Sequence, residues 1–423
     1  MVPAEEAPPG SPVDADSDPD LHALLADIEA ARDMLSGVAR VTPMEGCRWL
    51  SDRIGGRGPV FLKCENLQRA GSFKIRGAYV RIARLAPADR ARGVVAASAG
   101  NHAQGVALAA SLLDTKATVF MPIGAPIPKE EATRAYGADV RFVGHTIDEA
   151  LAAATTYADE TGAVLIHPFD HPDIVAGQGT LGLEILDQCP DVATVLVSMG
   201  GGGLAAGIAT ALAGRGSSAK VIGVQAAGAA AYPPSLAAGK PVALERMATM
   251  ADGIAVGRPG ATPFELVRRY VSEVVTVSED SLSRSLLLLL ERAKLLVEPA
   301  GAAGVAAALE HPAAYQSPVV AVLSGGNIDP LLLMQVVRHG MAAAGRYLSV
   351  RIRVPDQPGG LASLLAELAA AEANVLDVVH ERTSASLHLG EVEVALQVET
   401  RGKQHRAEIL GRLRNAGYAV TIT

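Results

Sequence analysis

The sequence predicts a two-lobed α/β protein with parallel-type sheets covered by helices, followed by a small βαββαβ unit of ferredoxin type. Three observations carry this. Short apolar runs of strand length alternate with helix-length amphipathic stretches through most of the chain, the pattern of parallel strands joined by helical crossovers. Many of the 43 glycines directly follow those runs, so strands turn tightly into helices. Beyond Tyr347 the pattern becomes a polar/apolar alternation, the mark of strands with one wet face.

In order, the Pro-, Glu- and Asp-rich stretch from Met1 to Asp20 reads as a disordered tail. Leu21 to Leu35 has helical spacing, and an extended segment follows to about Trp49. Strands are expected at Val60 to Cys64, Val94 to Ser98, Ala117 to Met121, Val140 to Val143 and Val164 to Ile166. A second run covers Val195 to Met199, Val221 to Val224, Val274 to Val277 and Val319 to Leu323. Two helix starts carry capping-box signals, Thr146 with Glu149 and Thr262 with Pro263 and Glu265. These elements form one unit, residues 21–345, whose smaller lobe spans about 63–165. Residues 346–423 then read as strand Tyr347 to Val354, helix Gly359 to Glu372, strands Asn374 to Arg382 and Val392 to Thr400, helix Gly402 to Ala416 and strand Tyr418 to Thr423.

Composition narrows the partners. A length of 423 residues favours two or three domains, and 49% hydrophobic content makes the chain globular. The net charge of −8, with no long basic run, argues against nucleic acid and anionic membrane. Cys47, Cys64 and Cys189 have neither disulfide-like nor metal-like spacing, which fits a reducing cytoplasm. No apolar run reaches the ~18 residues of a membrane span, and the N-terminus lacks a signal-peptide layout.

Four stretches carry chemistry. Gly71 and Ser72 open a helix with Lys74 in its first turn. A lysine is ordinarily a surface charge, so its weight comes from the turns downstream. Gly200-Gly201-Gly202-Gly203-Leu204 lies between a strand and an alanine-rich helix, where N–H groups free of Cβ atoms can converge on a phosphate. A dinucleotide turn is the rival reading, but the next strand ends Gly223-Val224-Gln225 without the acid that reading needs. A plain flexible turn also stays open. Ser98-Ala99-Gly100-Asn101-His102 opens another helix with small and amide side chains suited to a carboxylate, although Ser98 could simply cap and His102 simply pack. Ser324, at the end of a late strand, is either a residue of the sheet's carboxyl-end crevice or an ordinary turn serine. A lysine, a phosphate cradle and a carboxylate turn together call for a phosphorylated carbonyl cofactor, pyridoxal 5'-phosphate, and an amino acid.

From about Leu21 to Met341 the chain resembles the threonine dehydratase (threonine ammonia-lyase) family of pyridoxal-phosphate enzymes, fold type II, like tryptophan synthase β. The likeness rests on Gly71-Ser72-Phe73-Lys74-Ile75-Arg76-Gly77, Ser98 to Gly105, Gly200 to Leu204, Ser324, Pro168-Phe169-Asp170-His171-Pro172 and Ala176-Gly177-Gln178-Gly179-Thr180. It implies that Lys74 holds the cofactor covalently and then serves as the base on Cα. Phe73 would pack beside the ring, Asn101 would bind its phenolic oxygen, Gly253 would line its edge and Ser324 would face its nitrogen. Ser98, Asn101 and His102 would hold the substrate carboxylate, partly through backbone N–H groups. The implied reaction converts L-threonine, and L-serine less well, to the keto acid and ammonia. The alternatives are an L-serine dehydratase or racemase of the same fold, a catabolic threonine dehydratase and, remotely, a silent amino-acid sensor.

Two departures narrow this. Related racemases carry a second serine where this chain has Ala99, which cannot move a proton. They also bind a divalent metal through acids where this chain has Gln225 and Ala231, so no metal is expected there. Residues 346–423 resemble an ACT domain, a regulatory module. Asp356, Gly359, Gly360 and Asn374 would form its effector site for isoleucine or valine, which points to isoleucine biosynthesis and to a homodimer or homotetramer. Assembly alone is the alternative role of this unit.

Overall fold

The computed structural model describes residues 19–55, 58–382 and 388–423. The expected tail lies outside these residues except for Pro19 and Asp20, which begin the helix Pro19–Met34. Contacts divide the chain into two units, the second being Leu331–Thr423.

The first unit has two sheets. The larger runs, edge to edge, through Met44–Gly46, Val60–Lys63, Val319–Val322, Thr194–Ser198, Lys220–Ala226 and Glu273–Val277. Its first pair is antiparallel and the rest parallel. The smaller sheet is wholly parallel, in the order Asp139–Phe142, Ala117–Met121, Val94–Ala97, Val164–Leu165. Continuous apolar runs such as Val94–Ala97 are buried along their whole length, because helices cover both faces and leave no side to alternate toward water. Val60–Lys63 belongs to the larger sheet, so the smaller lobe's sheet begins at Val94 rather than near residue 63. A strand's own sequence does not state its partners. Here the pairing with Val319–Val322 comes from the far end of the unit.

Each sheet has its own core. Val195, Val197, Val320 and Val322 pack with Leu204, Ile208 and Leu212 in one, and Val94, Val119, Met121 and Val140 with Ile75, Ile82 and Val106 in the other. The helix Lys74–Ala83 crosses the helix Pro172–Gln188 at backbone contact: a Cβ on Gly77 would lie 2.9 Å from the Ile174 carbonyl, and one on Gly177 2.6 Å from the Gly77 Cα. Beneath this crossing lies a buried charge network. Arg76, 1% exposed, binds Glu65 through Nε (2.8 Å) and Nη2 (2.9 Å) and Glu184 through Nη1 (2.7 Å). Lys63 Nζ donates to Glu184 at 2.7 Å, to the Thr42 carbonyl at 2.8 Å and to Gln188 at 2.8 Å. Burial alone would raise the Glu65 carboxyl, but Arg76 outweighs it and holds the group below its ordinary range.

One expected cap forms and the other does not. Thr146 and Glu149 make a reciprocal capping box. At the second site the helix is Ala261–Tyr270, starting two residues earlier with Gly260 as its N-cap and no side-chain cap of its own. Asp170, distant in sequence, accepts from the Ala261 N–H (2.9 Å) and the Thr262 N–H (2.8 Å) instead.

The second unit has an antiparallel sheet ordered Asn374–Glu381, Glu391–Glu399, Tyr347–Pro355, Ala419–Ile422, with helices Gly360–Ala370 and Lys403–Asn415. Its core is Val350, Ile352, Leu364, Leu368, Val394, Leu396, Ile409 and their neighbours. The helix Pro330–Ala343 groups with this unit, so the division falls at Pro330, earlier than the Gly345 read from the sequence. Gly345, at φ +70°, lets the chain leaving that helix pass where a Cβ would lie 2.7 Å from the Lys403 nitrogen. Among the described residues no helix is long and apolar enough to cross a membrane.

Candidate active site

Lys74 begins its helix directly after Phe73, whose N–H donates to the Ser324 carbonyl at 3.2 Å. Ser72 forms an antiparallel bridge to Gly325, and the Gly326 N–H donates to the Gly71 carbonyl at 2.9 Å. The lysine segment and the Ser324 turn are thereby stitched into one floor. Lys74 Nζ donates to the Pro168 carbonyl at 3.0 Å and lies 5.1 Å from the Phe73 ring centre. Burial lowers its pKa to about 8, with Glu298 pulling the other way. An amine so held loses its proton more readily than a surface lysine, as a Schiff-base nucleophile and base must.

The glycine loop follows the strand Thr194–Ser198 and opens the helix Gly203–Gly214, with Gly202 as N-cap at φ +99°. Its glycines are demanded by close walls: a Cβ on Gly202 would fall 1.9 Å from the Tyr232 hydroxyl, and one on Gly201 2.4 Å from the Phe169 ring. Leu204 sits in the first turn, buried. Free N–H groups at the start of a twelve-residue helix suit a phosphate. Gln225, completely buried, uses its amide to bind the Met199 carbonyl (3.2 Å) and the Tyr232 N–H (2.9 Å), bracing the loop from behind.

The Ser98 turn precedes the helix Asn101–Leu112. Ser98 Oγ accepts from the Gly100 N–H at 3.1 Å, within the turn rather than as the helix cap. His102 Nε2 sits 2.7 Å from the Ile166 carbonyl, and burial, then Lys74, lowers its pKa to about 3. The ring is thus a packed neutral imidazole, and what His102 offers a carboxylate is its backbone N–H. Gly253 lies in a short turn, Asp252–Ile254, close to Glu298. Contacts thus link these segments: Phe73 to Ser324, Asn101 and Gly253 to Glu298, and Lys74 to Pro168, whose neighbour Phe169 packs on Gly201 of the glycine loop.

Three neighbours were given no role in the sequence reading, one of them, Asn327, although it closes the Ser324 stretch. Glu298, 3% exposed, accepts from Asn101 Nδ2 at 2.6 Å. Its signal was there to find: a lone acid between Val297 and an alanine- and glycine-rich run. Lys129, 7% exposed, donates to Asp252 at 2.5 Å. Asn327 joins Asn101 to the Lys74 segment by donating to Asn101 Oδ1 (2.9 Å) and the Ala70 carbonyl (2.7 Å).

Of the expected effector residues, Asp356 and Gly359 line a cleft of about 550 Å³ together with Leu361, His380 and Arg382, with Asp356 paired to Arg382 at 3.1 Å, while Gly360, the first residue of the helix beside it, is not among the lining residues. Asn374 is not among its lining residues. It starts the eight-residue strand whose other end reaches the cleft, about 23 Å away at strand spacing, and it donates to Glu399 at 3.2 Å.

A lysine poised for Schiff-base chemistry beside a helix-borne anion cradle defines the class of pyridoxal-phosphate enzymes, and the glycines and the amine fit that cofactor. Residues 35–325 match the family described as pyridoxal-phosphate dependent enzyme, and the chain belongs to it. Over 93% of its length it is 47% identical to the L-threonine ammonia-lyase of Geobacter sulfurreducens, covering 98% of that protein. It is 45% identical to the L-threonine ammonia-lyase of Thermotoga maritima over 94% of this chain and 99% of that one. Among solved structures it resembles the processed form of threonine deaminase isoform 2 from Solanum lycopersicum, with a TM-score of 0.73, 37% identity and coverage of 79% of this chain and 98% of that one.

Proposed function

We propose that the chain deaminates L-threonine to 2-oxobutanoate and ammonia, taking L-serine less well, as an early step of isoleucine biosynthesis. The observation that carries the chemistry is Lys74, an amine with lowered pKa set between the glycine loop and the Ser98 turn. The near full-length likeness to L-threonine ammonia-lyases supports the substrate. When bound, pyridoxal phosphate supplies a carbonyl that condenses with amines and a ring that takes up the electron pair left at Cα. The glycine loop and the Gly203 helix start hold its phosphate, and Ser324 gives the ring nitrogen a hydroxyl neighbour without a negative charge. The backbone N–H groups of the Ser98 to His102 turn orient the substrate carboxylate, and Lys74 Nζ takes the proton from Cα. Ala99 has no proton to return to the opposite face, which disfavours racemisation.

The test is steady-state release of keto acid from each amino acid by the reconstituted enzyme. Faster release of pyruvate from serine than of 2-oxobutanoate from threonine would overturn the assignment. For regulation, the cleft at Asp356 and Gly359 is the candidate site for isoleucine, with valine as modulator, in a homodimer or homotetramer. The exposed Leu376 and Val379 on the edge strand Asn374–Glu381 support self-association. Identical isoleucine titrations of wild type and Gly359→Asp would remove that loop as the effector site.

A further inference from the structure

Glu298 has no part in the roles set out above, yet it stands among the residues that would surround the cofactor ring. Its N–H donates to the Gly325 carbonyl at 3.0 Å, which fixes its backbone to the Ser324 turn. A Cβ on Gly325 would lie 2.4 Å from Glu298 Oε1, and one on Gly253 3.4 Å from it, so the carboxylate presses against two glycines of the site. Its side chain accepts from Asn101 Nδ2 at 2.6 Å.

An amide has two unlike ends, and which one faces a ligand decides whether it donates or accepts. For Asn101 a neighbour holds each end of the amide, and the two agree. An ionised carboxylate only accepts, so Glu298 must face the NH2 end. On the other side Asn327 is itself oriented, because its Nδ2 meets the Ala70 carbonyl, which also only accepts, and it donates to Asn101 Oδ1. One hydrogen of Asn101 Nδ2 therefore goes to Glu298 and the second is left to point elsewhere.

We propose that Glu298 is a positioning residue for the cofactor: by accepting from Asn101 Nδ2 it fixes the direction of that amide, so that a donor is presented to the phenolic oxygen of the ring. This rests on the reading of Asn101 as that oxygen's partner. The groups that act on Glu298 are Asn101, Lys74 and Lys129, each carried by a helix, and Asp252 from the short turn that holds Gly253. Burial, then Asp252, push the carboxyl up to about 7, so near neutrality it also changes charge and can lose its power to orient the amide.

The experiment compares Glu298→Ala, Glu298→Gln and Asn101→Ala with wild type. It reads cofactor affinity by equilibrium dialysis and, for bound cofactor, the balance of visible and near-ultraviolet absorption from pH 6 to 9. Loss of the oriented donor in Glu298→Ala is expected to weaken affinity roughly tenfold and shift the balance as Asn101→Ala does. Glu298→Gln keeps an acceptor, so its affinity should stay within about threefold of wild type while the wild-type pH dependence of the bands near neutrality flattens. Should Glu298→Ala fail to fold, the glutamine variant decides alone, because an unchanged pH profile overturns the proposal. It is also overturned if Glu298→Ala binds and absorbs like wild type while Asn101→Ala does not, or if the glutamine variant is as weak as the alanine one. If Asn101→Ala is silent as well, the reading of Asn101 falls together with the proposal.

Discussion

Lys74 and Glu298 face each other as a base with a lowered pKa and an acid with a raised one, and each leaves a signature in stability. Glu298 titrates near 4.5 unfolded and about 7 folded, so between those values the folded chain binds more protons and stability falls as pH rises. Lys74 moves from 10.5 to about 8, so between 8 and 10.5 the unfolded chain binds more protons and stability rises with pH. Urea unfolding of cofactor-free Glu298→Gln should therefore gain on wild type as pH goes from 5 to 7, by up to roughly 3 kcal/mol at 1.4 kcal/mol per pKa unit. Parallel curves would show that the carboxyl is not held neutral. Lys74→Ala should lose the visible band of bound cofactor and at least roughly 10³-fold in keto-acid release, since the other buried amine nearby, Lys129, is held in an ion pair with Asp252. The lysine was legible because a motif surrounds it. Glu298 was not, because a single acid shows its role only when Asn101, almost two hundred positions away, lies against it.

At the scale of elements, what places Lys74 is the crossing of its helix with Pro172–Gln188. Glycine at positions 77 and 177 lets the backbones touch, and Arg76 ties the crossing to Glu65 and Glu184 below. Removing one partner of a buried ion pair leaves the others uncompensated, so Arg76→Ala should destabilise by about 3–5 kcal/mol in urea unfolding and weaken cofactor binding as its helix shifts. A loss below about 1 kcal/mol would mean that water reaches the two carboxylates in the variant. The sequence showed these helices through their apolar spacing and the Thr146 cap through local chemistry. It mispredicted the cap at Thr262 because the capping atom belongs to Asp170, and a carboxylate arriving from another segment leaves no local pattern.

At the scale of the molecule, the two units have cores built from separate stretches of chain, the second wholly from Leu348 onward. Scanning calorimetry should accordingly resolve two transitions, and added pyridoxal phosphate should raise only the one belonging to the first unit, by mass action. A single transition that shifts as a whole would mean that the units unfold as one.

The sequence by itself determined the alternation of strands and helices, the lysine, the glycine loop and the small C-terminal unit, because each is written in neighbouring residues whose spacing has a physical meaning. Only the tertiary structure decided which sheet owns Val60–Lys63, that His102 spends its ring on Ile166, that Asn374 stands apart from the Asp356 cleft and that Glu298 meets Asn101. Those are pairings between distant positions, and burial and hydrogen-bond geometry fix them once the chain has closed on itself.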